Sequence, residues 1–97
     1  MPVPANPIKA GLKAGKRQMG LWIALGHPTS AEIASKAGFD FCLVDGEHAP
    51  NDIPLVLEQV RAIGCGTAAA AARVPVGETW IIKQYLDLGI QTLVVPM

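Results

Sequence analysis

Asp45, Glu47 and His48, set around Gly46, form the densest group of ionisable residues in this chain. Two carboxylates and an imidazole directly follow the apolar run Phe41, Cys42, Leu43, Val44. That run reads as a buried strand, and charged groups are costly to place in a core. They fit at the carboxyl end of a strand, facing a solvent-accessible pocket, where parallel α/β proteins carry their chemistry. An imidazole titrates near neutral pH, so the cluster has the makings of a proton-transfer site. A lone loop histidine reads first as solvated. Beside two carboxylates at a strand tip, the balance turns toward function. Gly46 gives the backbone close access to a ligand or allows a positive φ.

The rest of the chain reads as the scaffold that delivers this tip. Residues 6–16 predict a short helix with Asn6 as cap and Pro7 at its first position. Residues 18–25 are densely apolar and predict a strand covered on both faces, as in a parallel sheet. Thr29 and Glu32 have capping-box spacing, followed by a helix with Ile33, Ala34 and Ala37 inward and a stop at Gly38. Asn51 or Asp52 caps the next helix. Its Ile53, Val56, Leu57, Val60 and Ile63 form one apolar stripe at helical period. Residues 67–74 are ambiguous, because the alanines at 68–72 favour helix. Gly64, Gly66 and Pro75 around them, and the alternation of elements, predict a strand. Residues 77–88 predict a helix with Ile81, Ile82, Tyr85 and Leu86 inward, and residues 91–96 a last strand.

Helix followed by β-α-β-α-β-α-β over short loops predicts parallel strands with right-handed crossovers. The fold class is α/β, a partial (β/α)8 TIM barrel comprising its first four strands and an N-terminal helix. A self-standing four-stranded sheet is the rival. The expected domain is a single unit, 1–97, as the N-terminal part of a longer one. The chain has 97 residues and zero formal net charge. Charged residues make up 16%, against about 25% in an average soluble domain, and mean hydropathy is +0.34. That balance predicts a surface covered by more chain or by other copies. With no basic excess, no nucleic-acid partner is expected. No run approaches the ~20 apolar residues of a membrane span, and the start lacks a signal-peptide layout. The default is a cytoplasmic protein with Cys42 as a reduced, buried thiol.

Six segments, in order and spacing, carry a family resemblance. They are Gly20-Leu21-Trp22, Ala31-Glu32-Ile33-Ala34, Ala37-Gly38-Phe39-Asp40, Asp45-Gly46-Glu47-His48-Ala49-Pro50-Asn51-Asp52, Arg73-Val74-Pro75 and residues 82–97. Together they resemble the HpcH/HpaI aldolase family, notably its 4-hydroxy-2-oxoheptanedioate and 2-keto-3-deoxy-sugar-acid aldolases. The resemblance implies a (β/α)8 barrel in a hexameric homo-oligomer. It implies metal-dependent cleavage of 4-hydroxy-2-oxo acids to pyruvate and an aldehyde, with Mg²⁺, Mn²⁺ or Co²⁺ held by later strands and no metal ligand within this chain. Alternatives are a citrate-lyase or malyl-type C–C lyase on the same scaffold, or a non-catalytic gene fragment.

Residue by residue, the resemblance makes His48 the base and Arg73 the donor to the keto oxygen, although the alanines at 68–72 replace bulkier residues. Asp87 becomes the acid that raises the basicity of the histidine. Asp45 and Glu47 become partners orienting His48, Arg73 or metal-bound water; as bare loop carboxylates they read equally as solvated. Trp22 reads first as core and second as pocket lining. His48 follows the second strand and Asp87 precedes the fourth. A strand of five or six residues separates these levels by about 17–20 Å, so the pair is expected between subunits.

Overall fold

The computed structural model describes residues 2–97; Met1, part of the expected 1–97 unit, lies outside them. Eight elements alternate: α1 (Pro7–Lys13), β1 (Gly20–Ile23), α2 (Pro28–Ser35), β2 (Phe41–Asp45), α3 (Ile53–Ile63), β3 (Ala69–Arg73), α4 (Thr79–Asp87) and β4 (Leu93–Val94). The strands form one parallel sheet in chain order, β1-β2-β3-β4.

Side chains alternate across a strand, and the core divides accordingly. Cys42, Val44 and Ala72 pack with Ala31 and Ala34 of α2, Val56 and Ile63 of α3, and Ile81 and Tyr85 of α4. Leu43 and Ala71 point the other way and pack with Ile8 of α1. The three crossover helices thus share one sheet face. That one-sided cover with strands in sequential order is the wall of a (β/α)8 barrel rather than a doubly wound sheet, which has helices on both faces. No helix of the described residues is long and apolar enough to cross a membrane.

The alanine run forms β3. Helix propensity favours alanine by less than about 1 kcal/mol per residue. In the sheet Ala69–Arg73 pairs along its length with Phe41–Asp45, and its last two residues, Ala72 and Arg73, pair also with Leu93 and Val94.

Other expectations need correction. His27, not Thr29, caps α2: its Nδ1 accepts from Thr29 N at 3.1 Å and the helix starts at Pro28. The buried face is therefore Ala31, Ala34 and Ser35, while Ile33 is 67% exposed and Ala37 is exposed. Leu86 is likewise exposed, with Ile81 and Tyr85 facing the sheet. β1 is shorter than expected, and three of its four residues are exposed rather than covered on both faces. It is an edge strand, paired only with β2 among the described residues. Cys42 is buried with its thiol pushed up by that burial, and Cys65 is exposed.

Candidate active site

The parallel register places Asp45 beside Arg73 and Trp22 beside Leu43. Parallel partners share a face, so Trp22, Asp45 and Arg73 stand with Leu43 on the side away from the crossover helices. Asp45 and Arg73 end their strands there.

Asp45 is the anchor, with a side chain 4% exposed. Arg73 Nε donates to its Oδ1 at 3.0 Å and Arg73 Nη2 to its Oδ2 at 2.6 Å, a bidentate fork. Trp22 Nε1 donates to Oδ2 at 3.1 Å. The backbone N–H groups of Glu47 and His48 donate to Oδ1 at 2.8 and 3.2 Å. The Arg73 guanidinium, together with these N–H groups and against the opposing effect of burial, holds the Asp45 carboxyl well below the usual carboxylate range. The same pairing pushes Arg73 up.

The polar chain continues outward. Arg73 Nη1 lies 3.6 Å from Glu47 Oε1, and His48 Nε2 lies 2.6 Å from that same oxygen. Arg73 is 5.2 Å from the Trp22 ring centroid, within cation–π range. The result is a guanidinium fixed on one edge and a half-buried carboxylate holding an imidazole that is 73% exposed. A guanidinium fixed in this way can donate remaining N–H groups to an anion or carbonyl oxygen, and the exposed imidazole is accessible for proton transfer.

Five of the six residues named from sequence at this tip meet here: Trp22, Asp45, Glu47, His48 and Arg73. Trp22 is 51% exposed, so the core-packing expectation is corrected: Asp45 holds its indole N–H at the sheet's carboxyl end, outside the core. Gly46 has no positive φ. Its need is space, since a Cβ there would meet Tyr85 Oη and Arg73 O. Asp87 is not part of the cluster. It ends α4, exposed, at the opposite end of the parallel sheet. No hydrogen bond or ion pair joins it to His48 among the described residues.

The sequence marked Tyr85 only as an inward helix residue and Asn51 only as a possible helix cap, and Gln59 was not singled out. Tyr85 is buried beneath Gly46, its phenol pushed up by burial and by the negative Asp45. Asn51 Nδ2 donates to Asp45 O at 2.7 Å. Gln59 Nε2 donates to Asn51 Oδ1 at 2.7 Å. The available signal for Gln59 was a polar residue at helical spacing from Val56 and Ile63.

The described residues contain no group of three or more His, Cys, Asp or Glu side chains that could hold a metal ion. Both Asp45 oxygens are already engaged by donors, so this carboxylate does not fit a cation.

Residues 18–97 match the profile of the HpcH/HpaI aldolase/citrate lyase family. A hydroxypyruvate/pyruvate aldolase of Agrobacterium fabrum is 52% identical over 97 residues, covering 100% of this chain and 36% of that protein. A 4-hydroxy-2-oxovalerate aldolase of Rhodococcus jostii is 52% identical over 98 aligned residues, covering 100% of this chain and 38% of that protein. The crystal structure of a HpcH/HpaI aldolase/citrate lyase family protein from Burkholderia cenocepacia superposes with a TM-score of 0.88 at 40% identity, covering 96% of this chain and 37% of that one. The chain thus spans little more than a third of the length of these proteins.

Proposed function

This chain belongs to the HpcH/HpaI aldolase/citrate lyase family, and from that premise we propose that it supplies the base and the arginine of a pyruvate-forming aldolase. The observation that carries the reading is the pairing at one strand end: Arg73 is locked by Asp45, and the accessible His48 is held by Glu47.

The reaction is cleavage of a 4-hydroxy-2-oxo acid. His48 takes the proton of the C4 hydroxyl. The C4–O electrons form the aldehyde carbonyl as the C3–C4 bond breaks. That bond's electron pair passes toward the C2 carbonyl and leaves an enolate. Arg73 donates N–H groups to the C2 oxygen as charge develops on it, where a prealigned donor contributes most. Protonation at C3 then yields pyruvate, and the reverse order gives aldol addition. Trp22 and the Gly46 turn border the space for the substrate. The names of the relatives favour pyruvate or hydroxypyruvate as the nucleophile and 4-hydroxy-2-oxovalerate as a test substrate.

A divalent cation (Mg²⁺, Mn²⁺ or Co²⁺) belongs to the proposal as an electron sink. Residues 2–97 do not fit it, so its ligands are assigned elsewhere in the complete enzyme and no step is drawn through it here. The chain contributes the first four strands of a (β/α)8 barrel in a homo-oligomer. Asp87, at the far end of the sheet, pairs with His48 of a neighbouring copy and raises its basicity.

Enolate formation can be tested without knowing the aldehyde. The chain is assembled with the remaining strands of the Agrobacterium relative and Mn²⁺, and exchange of pyruvate methyl protons in D₂O is followed by NMR. The proposal predicts exchange by the assembled protein and at least a ~100-fold loss in Arg73→Lys, since a positioned charge donor is worth that much. Exchange unchanged in that variant contradicts it.

A further inference from the structure

Gln59 is a polar residue on the buried face of α3. It lies three residues after Val56 and four before Ile63, and all three are 0% exposed. Its Nε2 donates to Asn51 Oδ1 at 2.7 Å and to Leu55 O at 3.2 Å. Its Oε1 is buried with no hydrogen-bond partner among the described residues. A buried amide oxygen without a partner costs about 1–3 kcal/mol, and an aliphatic side chain there would avoid that cost. Helix formation gives no reason for the glutamine, because the Leu55 carbonyl already lies within α3.

The link through Asn51 does. Asn51 Nδ2 donates at 2.7 Å to the main-chain oxygen of Asp45, the residue whose carboxylate holds Arg73 and the N–H groups of Glu47 and His48. Gly46 N donates to Arg73 O at 2.8 Å. The turn at residues 46–48 is thus tied to Arg73 on one side and, through Asn51, to the middle of α3 on the other. The Gln59–Asn51 amide chain connects a rigid, packed helix to the segment that bears Glu47 and His48.

We propose that Gln59, acting through Asn51, is a positioning residue that sets where the Glu47–His48 turn sits over Arg73. Its catalytic consequence rests on the aldolase reading above; its geometric content does not.

The test is residue-resolved amide exchange on the ¹⁵N-labelled chain. Gln59→Met keeps an unbranched side chain of similar length and removes both polar atoms. Asn51→Ala cuts the same link at a half-buried position. Each variant is expected to speed exchange at Glu47 and His48 by about tenfold or more, a local opening confined to one segment. The Arg73 Nε–H resonance moves with them, while Val56 and Ile63 keep their protection. The double variant opens the turn no further than the worse single variant, because one link is cut twice. Unchanged protection at Glu47 and His48 in Gln59→Met overturns the proposal, as does a loss spread evenly through Ile63. Should Gln59→Met fail to fold, Asn51→Ala decides by the same readout. In the assembled enzyme, Gln59→Met lowers kcat about tenfold with KM retained; an unchanged kcat overturns the catalytic consequence. Absence of pyruvate chemistry in the parent protein counts against the aldolase reading alone, because the exchange measurement needs no substrate.

Discussion

Asp45 accepts hydrogen bonds from Trp22, Arg73 and two backbone N–H groups while almost fully buried. It therefore fixes the guanidinium and begins the turn that carries His48. Its type and place were legible in the sequence as a carboxylate ending an apolar strand, and so was the company of Glu47, His48 and Arg73. What could not be read was the partner assignment, because the Asp45–Arg73 pair depends on the register of two strands. A folded-state pKa held below the unfolded value of about 3.9 contributes stability above that value. The contribution declines as pH falls below about 4 and is gone once the folded carboxyl protonates. Urea midpoints measured from pH 6 down to pH 2 should therefore fall more steeply in the parent than in Asp45→Asn, which lacks the titrating group. Equal slopes would mean that the Arg73 fork does not form. Arg73→Lys keeps the charge but loses the fork, and the expected result is a fall in kcat of about 100-fold or more.

At the scale of elements, apolar patterning with its turn and cap residues located the helices and strands, while the alanine strand followed only from Gly64, Gly66, Pro75 and the alternation of elements, against its intrinsic helix propensity. The patterning misjudged which faces are buried. Ile33 and Leu86 are exposed because helix rotation follows the sheet beneath, and β1 lies open because it is an edge. Helix starts follow local chemistry more closely. Asp52 Oδ1 accepts from Leu55 N at 3.1 Å, and Asp52→Ala should cost about 1 kcal/mol by denaturant unfolding. The β2–α3 turn is limited by space. Gly46→Ala brings a Cβ against Tyr85 Oη and Arg73 O, so a destabilisation of about 1–3 kcal/mol is expected, as for other overpacked sites. Adding Tyr85→Phe should recover only part of it, since the Arg73 carbonyl remains. Full recovery would show that the phenol alone sets the limit.

At the scale of the whole molecule, the sheet has helices on one face, Ile8 of α1 on the other, and exposed large apolar residues such as Leu25, Ile33 and Trp80. The low charge content foreshadowed this, though composition alone could not say which surfaces would be left uncovered. The chain aligns along its whole length with proteins about three times longer, and the proposal locates aldolase activity in that larger assembly. Because His48 and Asp87 sit at opposite ends of one sheet, mixed oligomers of His48→Ala and Asp87→Ala subunits should regain some of the activity each lacks alone. No regain on mixing would remove the pairing between copies. The central claim is that His48 and Arg73 of this chain serve carbon–carbon bond cleavage. The most direct measurement is pyruvate release from 4-hydroxy-2-oxovalerate by the chain assembled with the remaining strands of its Agrobacterium relative and Mn²⁺, in parent and His48→Ala forms. Release by the parent, cut about 100-fold or more in the variant, is the predicted result. No release by the parent, or equal release by both, would contradict the account.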